Sequence, residues 1–312
     1  MAEDAASGAH RAGVCAIVGR PNVGKSTLLN RIVGEKVAAV TPKPQTTRDR
    51  ILGVANRPGA QLVFLDTPGV HRPHRPLNEH MVKLALQAMS TADVTLLLVD
   101  ATASPARAAA GEEDALLLAA LRGEAKPRTA VAAVNKIDAL ADKSALLPLL
   151  EALAAAFPFR AIVPISAANG EGVEALVKEL VALLPEGPPP FPGDEYTDRS
   201  VRYLAAEIIR EKIFQQTGEE IPYSSAVTVE RWEAPAVPGR ATRVTATIHV
   251  ERDSQKGIVI GKAGARLKKI GTEARREIEA MIGGKVMLDL VVRTEENWTR
   301  DPQRMRKLGY GE

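Results

Sequence analysis

The chain has 312 residues, enough for two domains of ordinary size, each with its own core. With 41 Lys and Arg against 38 Asp and Glu the formal net charge is only +3, so no global field singles out a partner. The single cysteine, Cys15, excludes a disulfide within one chain. No run approaches the roughly 18 apolar residues of a membrane helix. The polar, acidic N-terminus lacks the basic-then-apolar pattern of a signal peptide.

A soluble, cytoplasmic protein is therefore expected, with residues 1–12 disordered. Residues 14–19 (VCAIVG) form a short apolar β run, with Cys15 as a small packing residue within it. The string GRPNVGKS follows, and residues 26–34 then carry apolar positions at helix spacing. This strand, loop and helix are the context in which G-x-x-x-x-G-K-[ST] cradles a nucleoside triphosphate. Glycines let backbone N–H groups wrap the phosphates, Lys25 reaches the β and γ phosphates, and Ser26 ligates Mg²⁺. The expected phosphate-binding set is Gly19, Asn22, Val23, Gly24, Lys25, Ser26 and Thr27.

Residues 41–50 (TPKPQTTRDR) contain two prolines and no apolar periodicity, and are expected to form a mobile loop. A hydroxyl there can complete the Mg²⁺ shell only when the γ phosphate is present, which would make the loop a switch. Thr47 is the first choice and Thr46 the second. Residues 62–69 (LVFLDTPG) end a buried strand on Asp66, placed to hold Mg²⁺ through water, with the Gly69 N–H facing the γ phosphate. Val70 follows, where Ras-like proteins carry a glutamine that orients the attacking water. Valine can neither donate nor accept, so hydrolysis is expected to be slow or its water to be held from elsewhere. His71 and His74 have no third ligand nearby and are read as loop residues, not a metal site.

Further apolar runs at 94–101, 129–138 and 160–166 alternate with helical patterns near 77–89, 113–121, 145–156 and 173–184. Such alternation predicts a parallel-rich sheet with helices on both faces and its ligand at the carboxyl ends of the strands. Two of these ends carry base-recognition chemistry. In NKID, Asp138 can accept paired hydrogen bonds from guanine N1–H and N2–H₂, while Asn135 fixes the adjoining loop and Lys136 completes the set. Ser166 and Ala167 approach the guanine O6 from the opposite side. Adenine offers no such donor pair, so the nucleotide is GTP or GDP.

Residues 185–198 (PEGPPPFPGDEYTD) read as a semi-rigid linker between a domain at 13–184 and a second at 199–312. The second domain follows the order αββααβ: a helix at 200–216, alternating strands at 224–233 and 242–252, a helix–loop–helix at 257–283 and a last strand at 285–294. That order predicts an α+β unit with helices on one face of its sheet. The two helices meet at IGKAG, whose Ile260, Gly261, Lys262, Ala263 and Gly264 can clamp single-stranded nucleic acid through its phosphates. Lys256, Lys262, Arg266, Lys268 and Lys269 supply a positive edge with no intervening acid. Arg275 and Arg276 either extend the edge or pair with Glu273, Glu277 and Glu279. Trp232 and Trp298 are read as packing or edge residues, and 300–307 as a basic tail.

These motifs in this order resemble the Era family of bacterial ribosome-assembly GTPases, an α/β P-loop GTPase domain followed by a type II KH domain. The carrying strings are GRPNVGKS, QTTRDR, DTPG, NKID, RYLAAEIIREKIF and VIGKAGARLKKIG, spanning nearly the whole chain. The resemblance implies slow GTP hydrolysis and capture of 16S rRNA near its 3′ end in the 30S subunit, with no DNA partner. It further implies peripheral contact with the inner face of the cell membrane. Asn22 resembles the asparagine with which some related GTPases hold K⁺ beside the phosphates; its other reading is a turn residue after Pro21. Two rival functions stay open: a second module that binds protein, and an RNA binder whose nucleotide domain is only structural.

Overall fold

A computed structural model describes the chain except for residues 1–8, 42, 44–45, 71–75, 105–111, 124–126, 219, 236, 238 and 311–312. His71 and His74 thus lie outside the described residues. The chain divides into two compact units. The first comprises Met1–Val37, Arg50–Arg72 and Met81–Asp198; the second comprises Ala38–Asp49, Pro73–His80 and Arg199–Glu312. No helix among the described residues is long and apolar enough to cross a membrane.

Six strands make the sheet of the first unit: β1 (Arg11–Gly19), β2 (Ile51–Arg57), β3 (Ala60–Asp66), β4 (Val94–Asp100), β5 (Ala130–Asn135) and β6 (Ile162–Pro164). They lie in the order β2-β3-β1-β4-β5-β6, with β2 antiparallel to β3 and every other pair parallel. The helices are α1 (Lys25–Val33), α2 (Pro76–Thr91), α3 (Glu112–Arg122), α4 (Leu146–Ala156) and α5 (Val173–Leu183). Val18, Leu97 and Val134 of the central strands pack with Met89 of α2, Leu117 and Leu121 of α3, and Leu149 and Leu153 of α4. This burial of consecutive strand residues explains why the strands read as unbroken apolar runs. Cys15 is fully buried, and its thiol is pushed well above the ordinary range by that burial, as befits a packing residue.

Three sequence expectations need adjusting. Strand β2 has no counterpart in the apolar-run pattern, because Gly53, Asn56 and Arg57 interrupt it, yet residues 51–55 are all buried. Gly53 leaves room for α1: a Cβ would stand 2.7 Å from Leu29 Cδ1, which would have to shift. The expected disordered segment 1–12 extends too far, since Arg11 and Ala12 pair with Ala60 and Gln61 in β3. The Arg11 guanidinium also donates to the Leu184 carbonyl at 2.8 Å. Residues 185–198 are not a free spacer but part of the first unit. Gln61 exchanges two hydrogen bonds of 2.9 Å with the Phe191 backbone, Val54 N donates to Tyr196 O at 2.9 Å, and Thr197 Oγ1 donates to Leu52 O at 2.7 Å. Strand edges supply the partners that the prolines cannot.

In the second unit α6 (Val201–Gln216) and the short α7 (Glu220–Ser224) precede β7 (Ser225–Glu233) and β8 (Thr242–Val250). After these come α8 (Asp253–Ile260), α9 (Ala265–Ile282), β9 (Val286–Thr294) and α10 (Pro302–Lys307). Strands β7 and β8 are antiparallel, β8 and β9 parallel. Thr247 and His249 are buried on one face of β8, and Val244, Ala246, Ile248 and Val250 are fully buried on the other. They meet Ile209 and Ile213 of α6 and Ile270, Ala274 and Ile278 of α9. The order is the expected αββααβ with two additions, the short α7 before β7 and, within the stretch read as a basic tail, α10 with Met305 buried.

Candidate nucleotide and RNA sites

The phosphate loop leaves β1 at Gly19 and enters α1 at Lys25. Gly24 caps the helix in the left-handed region (φ 99°), and a Cβ there would fall 2.3 Å from Asn135 Nδ2. Asn22 also takes a positive φ of 62°, consistent with a residue that tolerates this conformation. Lys25 Nζ donates to the carbonyls of Gly19 (3.2 Å) and Arg20 (2.9 Å) and so lies folded over its own loop. Burial pushes its ammonium down to about 8, with Asp66 partly opposing the shift. An arriving phosphate would favour the charged form and oppose that downward shift. Lys25→Ala should weaken GTP binding about a hundredfold, the scale of two charge-assisted hydrogen bonds; titration with a fluorescent GTP analogue checks it, and wild-type affinity would remove Lys25 from the site.

Asp66 ends β3 fully buried, and the Ser26 hydroxyl donates to its Oδ2 at 2.7 Å. This is an all-oxygen pair of the kind a hard divalent cation prefers. Gly69 approaches the loop so closely that a Cβ would stand 2.6 Å from Pro21 N. Val70 donates its N–H to Gly19 O at 3.2 Å, and its side chain is fully buried in the core. Its place after the DxxG string is thus filled by a packing residue.

Asn135 connects the two ends of the nucleotide site. Its Nδ2 donates to Val23 O at 2.7 Å in the phosphate loop, and its Oδ1 accepts from Ala167 N at 2.8 Å. Ser166 is buried and its Oγ accepts from Asn169 N. Asp138 stands exposed in the 3-10 turn Ile137–Ala139 after β5. Lys136, left-handed at φ 72°, carries its Nζ to Asp100 Oδ2 at 2.6 Å. Two residues here escape sequence reading. Asp100, at the carboxyl end of β4, is itself braced by the N–H and hydroxyl of Thr102. Arg31 of α1 donates Nε to Ala167 O at 2.7 Å, and its Nη2 reaches Ala168 O. Neither lies in a motif; only the sheet register, which sets Asp100 opposite Asn135, brings the first into play.

The described residues of the expected loop at 41–50 form neither helix nor strand. Residues 38–49 belong to the second unit. Thr46 Oγ1 lies 2.7 Å from Thr41 Oγ1 and donates to Lys43 O at 2.9 Å, while Thr47 is buried.

In the second unit, Gly261 (φ 72°, ψ 176°), Ala263 (φ 49°) and Gly264 (φ 77°) turn the chain between α8 and α9. A Cβ on Gly261 would stand 2.8 Å from Arg266 Cβ. Lys262 and Ala263 are exposed at the tip. Beside them runs a groove of about 380 Å³ lined by Gly264, Leu267, Lys268, Arg275, Leu288 and Leu290, among others. Apolar floor and cationic rim suit a stacked base and its phosphate. Lys256 and Ile260 sit half-buried on α8. Arg266 Nη1 donates to the Ile258 carbonyl at the end of α8, which occupies one of its five donors. Lys269 lies 4.0 Å from Glu273. Glu273 also binds Gln216, Glu277 pairs with Lys212, and Glu279 accepts from Val286 N. Arg275 and Arg276 are both exposed, and Arg275 lines the groove. Trp298 is fully buried, a packing residue as expected, with its Nε1 donating to Ser224 O at 2.9 Å.

A family model described as 50S ribosome-binding GTPase matches residues 14–136, and one described as KH domain matches 220–299. The GTPase Era of Geobacter metallireducens is 49% identical over 300 residues, covering 96% of this chain and 98% of that protein. The chain belongs to the Era family of GTPases. The GTPase Era of Syntrophus aciditrophicus is 47% identical over 302 residues, covering 97% of this chain and 96% of its own. Two Era crystal structures superpose at a TM-score of 0.90 with 41% identity, each covering 97% of this chain and 100% of its own. One is Aquifex aeolicus Era bound to GDP and AlF₄⁻; the other is Era with MgGDPNP and nucleotides 1506–1542 of 16S ribosomal RNA. The Era-family assignment accounts for both units, the P-loop GTPase domain and the KH domain.

Proposed function

We propose that this GTPase is a slow GTP-dependent switch that binds the 3′ region of 16S rRNA and assists assembly of the 30S subunit. The observation that carries the nucleotide half is Asn135, which ties the phosphate loop to the Ser166–Ala167 loop and so fixes the distance between phosphate and base ends. Ser26 would hold Mg²⁺ directly and Asp66 through water, with Thr47 or Thr46 joining in the triphosphate state. Held by these residues, Mg²⁺ would supply positive charge to offset the negative charge that develops on the phosphate oxygens. Asp138 reads guanine N1–H and N2–H₂, and Gly69 N–H meets the γ phosphate. For the RNA half, the groove beside Gly261–Gly264 and the related Era complex with 16S rRNA support single-stranded RNA as ligand. The assembly role and a peripheral membrane contact rest on the resemblance, whereas domain limits of 13–184 and 199–312 and a cytoplasmic location rest on the composition and patterning of the sequence. RNA filter binding at two salt concentrations tests the RNA half: phosphate contacts impose a steep salt slope, and a flat one would favour a protein partner.

Because Val70 is a core residue, hydrolysis should run far below the enzyme median of about 10 s⁻¹. K⁺ should accelerate it relative to Na⁺, through Asn22, and Asn22→Ala should abolish the difference. Equal phosphate release in KCl and NaCl would remove the K⁺ site while leaving GTP binding untouched.

A further inference from the structure

The phosphate loop is held from three sides. Val70 N donates to Gly19 O at 3.2 Å from the segment after β3, and Asn135 Nδ2 donates to Val23 O at 2.7 Å from the end of β5. Both donors lie in or beside motifs legible in the sequence. The third hold comes from outside any motif. Arg20 Nη2 lies 2.6 Å from Asp114 Oδ2 in the first turn of α3, and the two side chains are only 14% and 5% exposed. Asp114 is the last of three successive acids, Glu112, Glu113 and Asp114, at a helix start where carboxylates ordinarily sit at the surface against the positive end of the helix. Burying one of them against a guanidinium strips water from two charges, and only close pairing offsets that loss. Around the pair the loop is not backed by close packing: a cavity of about 200 Å³, lined by Arg20, Pro21, Val23, Asp100, Thr102 and Asp114 among others, opens between it and the end of β4. The ion pair bridges loop and helix where packed side chains do not.

We propose that Asp114 is a positioning residue for the phosphate site: through Arg20 it sets the carbonyl against which Lys25 presents its ammonium. This rests on the reading of Lys25 as the ligand of the β and γ phosphates. The path is short. The Asp114 carboxylate fixes the Arg20 guanidinium, and the Arg20 carbonyl accepts from Lys25 Nζ at 2.9 Å. Pro21 limits the slack between them, because its ring fixes its own φ and restricts the backbone of the residue before it. Gly69 closes on the same proline from the other side, so near that a Cβ would stand 2.6 Å from Pro21 N. A displaced Arg20 side chain therefore passes its movement to its own carbonyl. The lysine ammonium is a compact charge on a flexible stem, and it takes its direction from the carbonyls it binds. Asp114 itself meets no phosphate in this reading; it acts through the loop.

The test uses the full-length protein with Mg²⁺ and measures affinity for a fluorescent GDP analogue and for the imido analogue of GTP. Asp114→Asn keeps the shape and one acceptor but removes the charge. It should weaken both ligands about tenfold, less than the hundredfold that outright misplacement of a binding group costs. A carboxylate needed only for the stability of α3 would lower the thermal midpoint and leave the folded protein's affinity unchanged, or lower it equally whatever stands at position 25. Positioning through Lys25 requires a different pattern. In a Lys25→Ala background the same substitution should change affinity less than about twofold, a coupling in the range found for groups of one network. Arg20→Lys, which retains the charge without the forked donors, carries the test if Asp114→Asn proves unfolded by circular dichroism. It should show a smaller loss, again only while Lys25 is present. Unchanged affinity in the folded single variant, or an equal loss with and without the Lys25 side chain, would overturn the proposal and leave nucleotide binding standing. Wild-type affinity in Lys25→Ala alone would instead remove Lys25 from the site, and this proposal with it.

Discussion

Asp138→Asn is expected to lower GTP affinity about a hundredfold and to confer binding of xanthosine nucleotides. The two hydrogen bonds from guanine N1–H and N2–H₂ to a carboxylate are charge-assisted, at about 1.5–3 kcal/mol each. An asparagine retains one acceptor and sets an amide donor against the second guanine donor. Xanthine replaces N2–H₂ by a carbonyl, and the new amide can donate to it. The exposed position of Asp138, in a turn whose backbone is set by left-handed Lys136, means that the substitution changes the chemistry of one side chain and little else. Asn135, which ties the neighbouring loops together, is untouched. Competition between GDP and XDP for a fluorescent analogue measures both effects. Undiminished GDP affinity in the variant would mean that the base is read from another residue.

What could be read from the sequence follows a physical division. Side chains that act through their own chemistry on a local backbone shape, such as Lys25, Ser26, Asp66 and Asn135, are visible because the shape needs fixed glycines at fixed spacing. Strands buried on both faces are visible as apolar runs. Strand β2 was hidden because its Gly53 is small for the sake of Leu29 of α1, a tertiary reason that looks locally like a break. The stretch 185–198 looked like a spacer because prolines remove donors, but its remaining N–H and C=O groups find Gln61 and β2, far away in sequence. Arg48 read as one more polar loop residue. Its buried guanidinium donates to the carbonyls of Ser225 and Pro222 and faces the rings of Phe214, Trp298 and Tyr310, and no local pattern encodes such a convergence. Arg266 shows the converse: a basic residue that composition counts only toward a phosphate-binding edge also donates to a carbonyl at a helix end.

The double substitution Lys262→Asp and Ala263→Asp is expected to reduce affinity for a single-stranded RNA of the 16S 3′-terminal sequence by at least about tenfold near 0.1 M salt. It places two carboxylates at the exposed tip beside the groove and removes one cation, so an approaching phosphate meets repulsion where it met attraction. The loss of phosphate contact should also flatten the salt dependence, by about 0.7 in log affinity per log salt for each contact removed from a single strand. The backbone should tolerate the change. Both glycines remain, and Asp accepts the left-handed conformation that Ala263 already holds at φ 49° more readily than most residues. Nucleotide affinity should persist, because Lys25, Ser26, Asp66, Asn135 and Asp138 all belong to the first unit. The measurement pairs RNA filter binding with fluorescent GDP titration on protein of native circular dichroism. Full RNA affinity would defeat the groove as the RNA site and promote a protein partner in its place. Joint loss of RNA and nucleotide binding would reveal that this turn and the nucleotide site are energetically coupled, contrary to the separate cores described above.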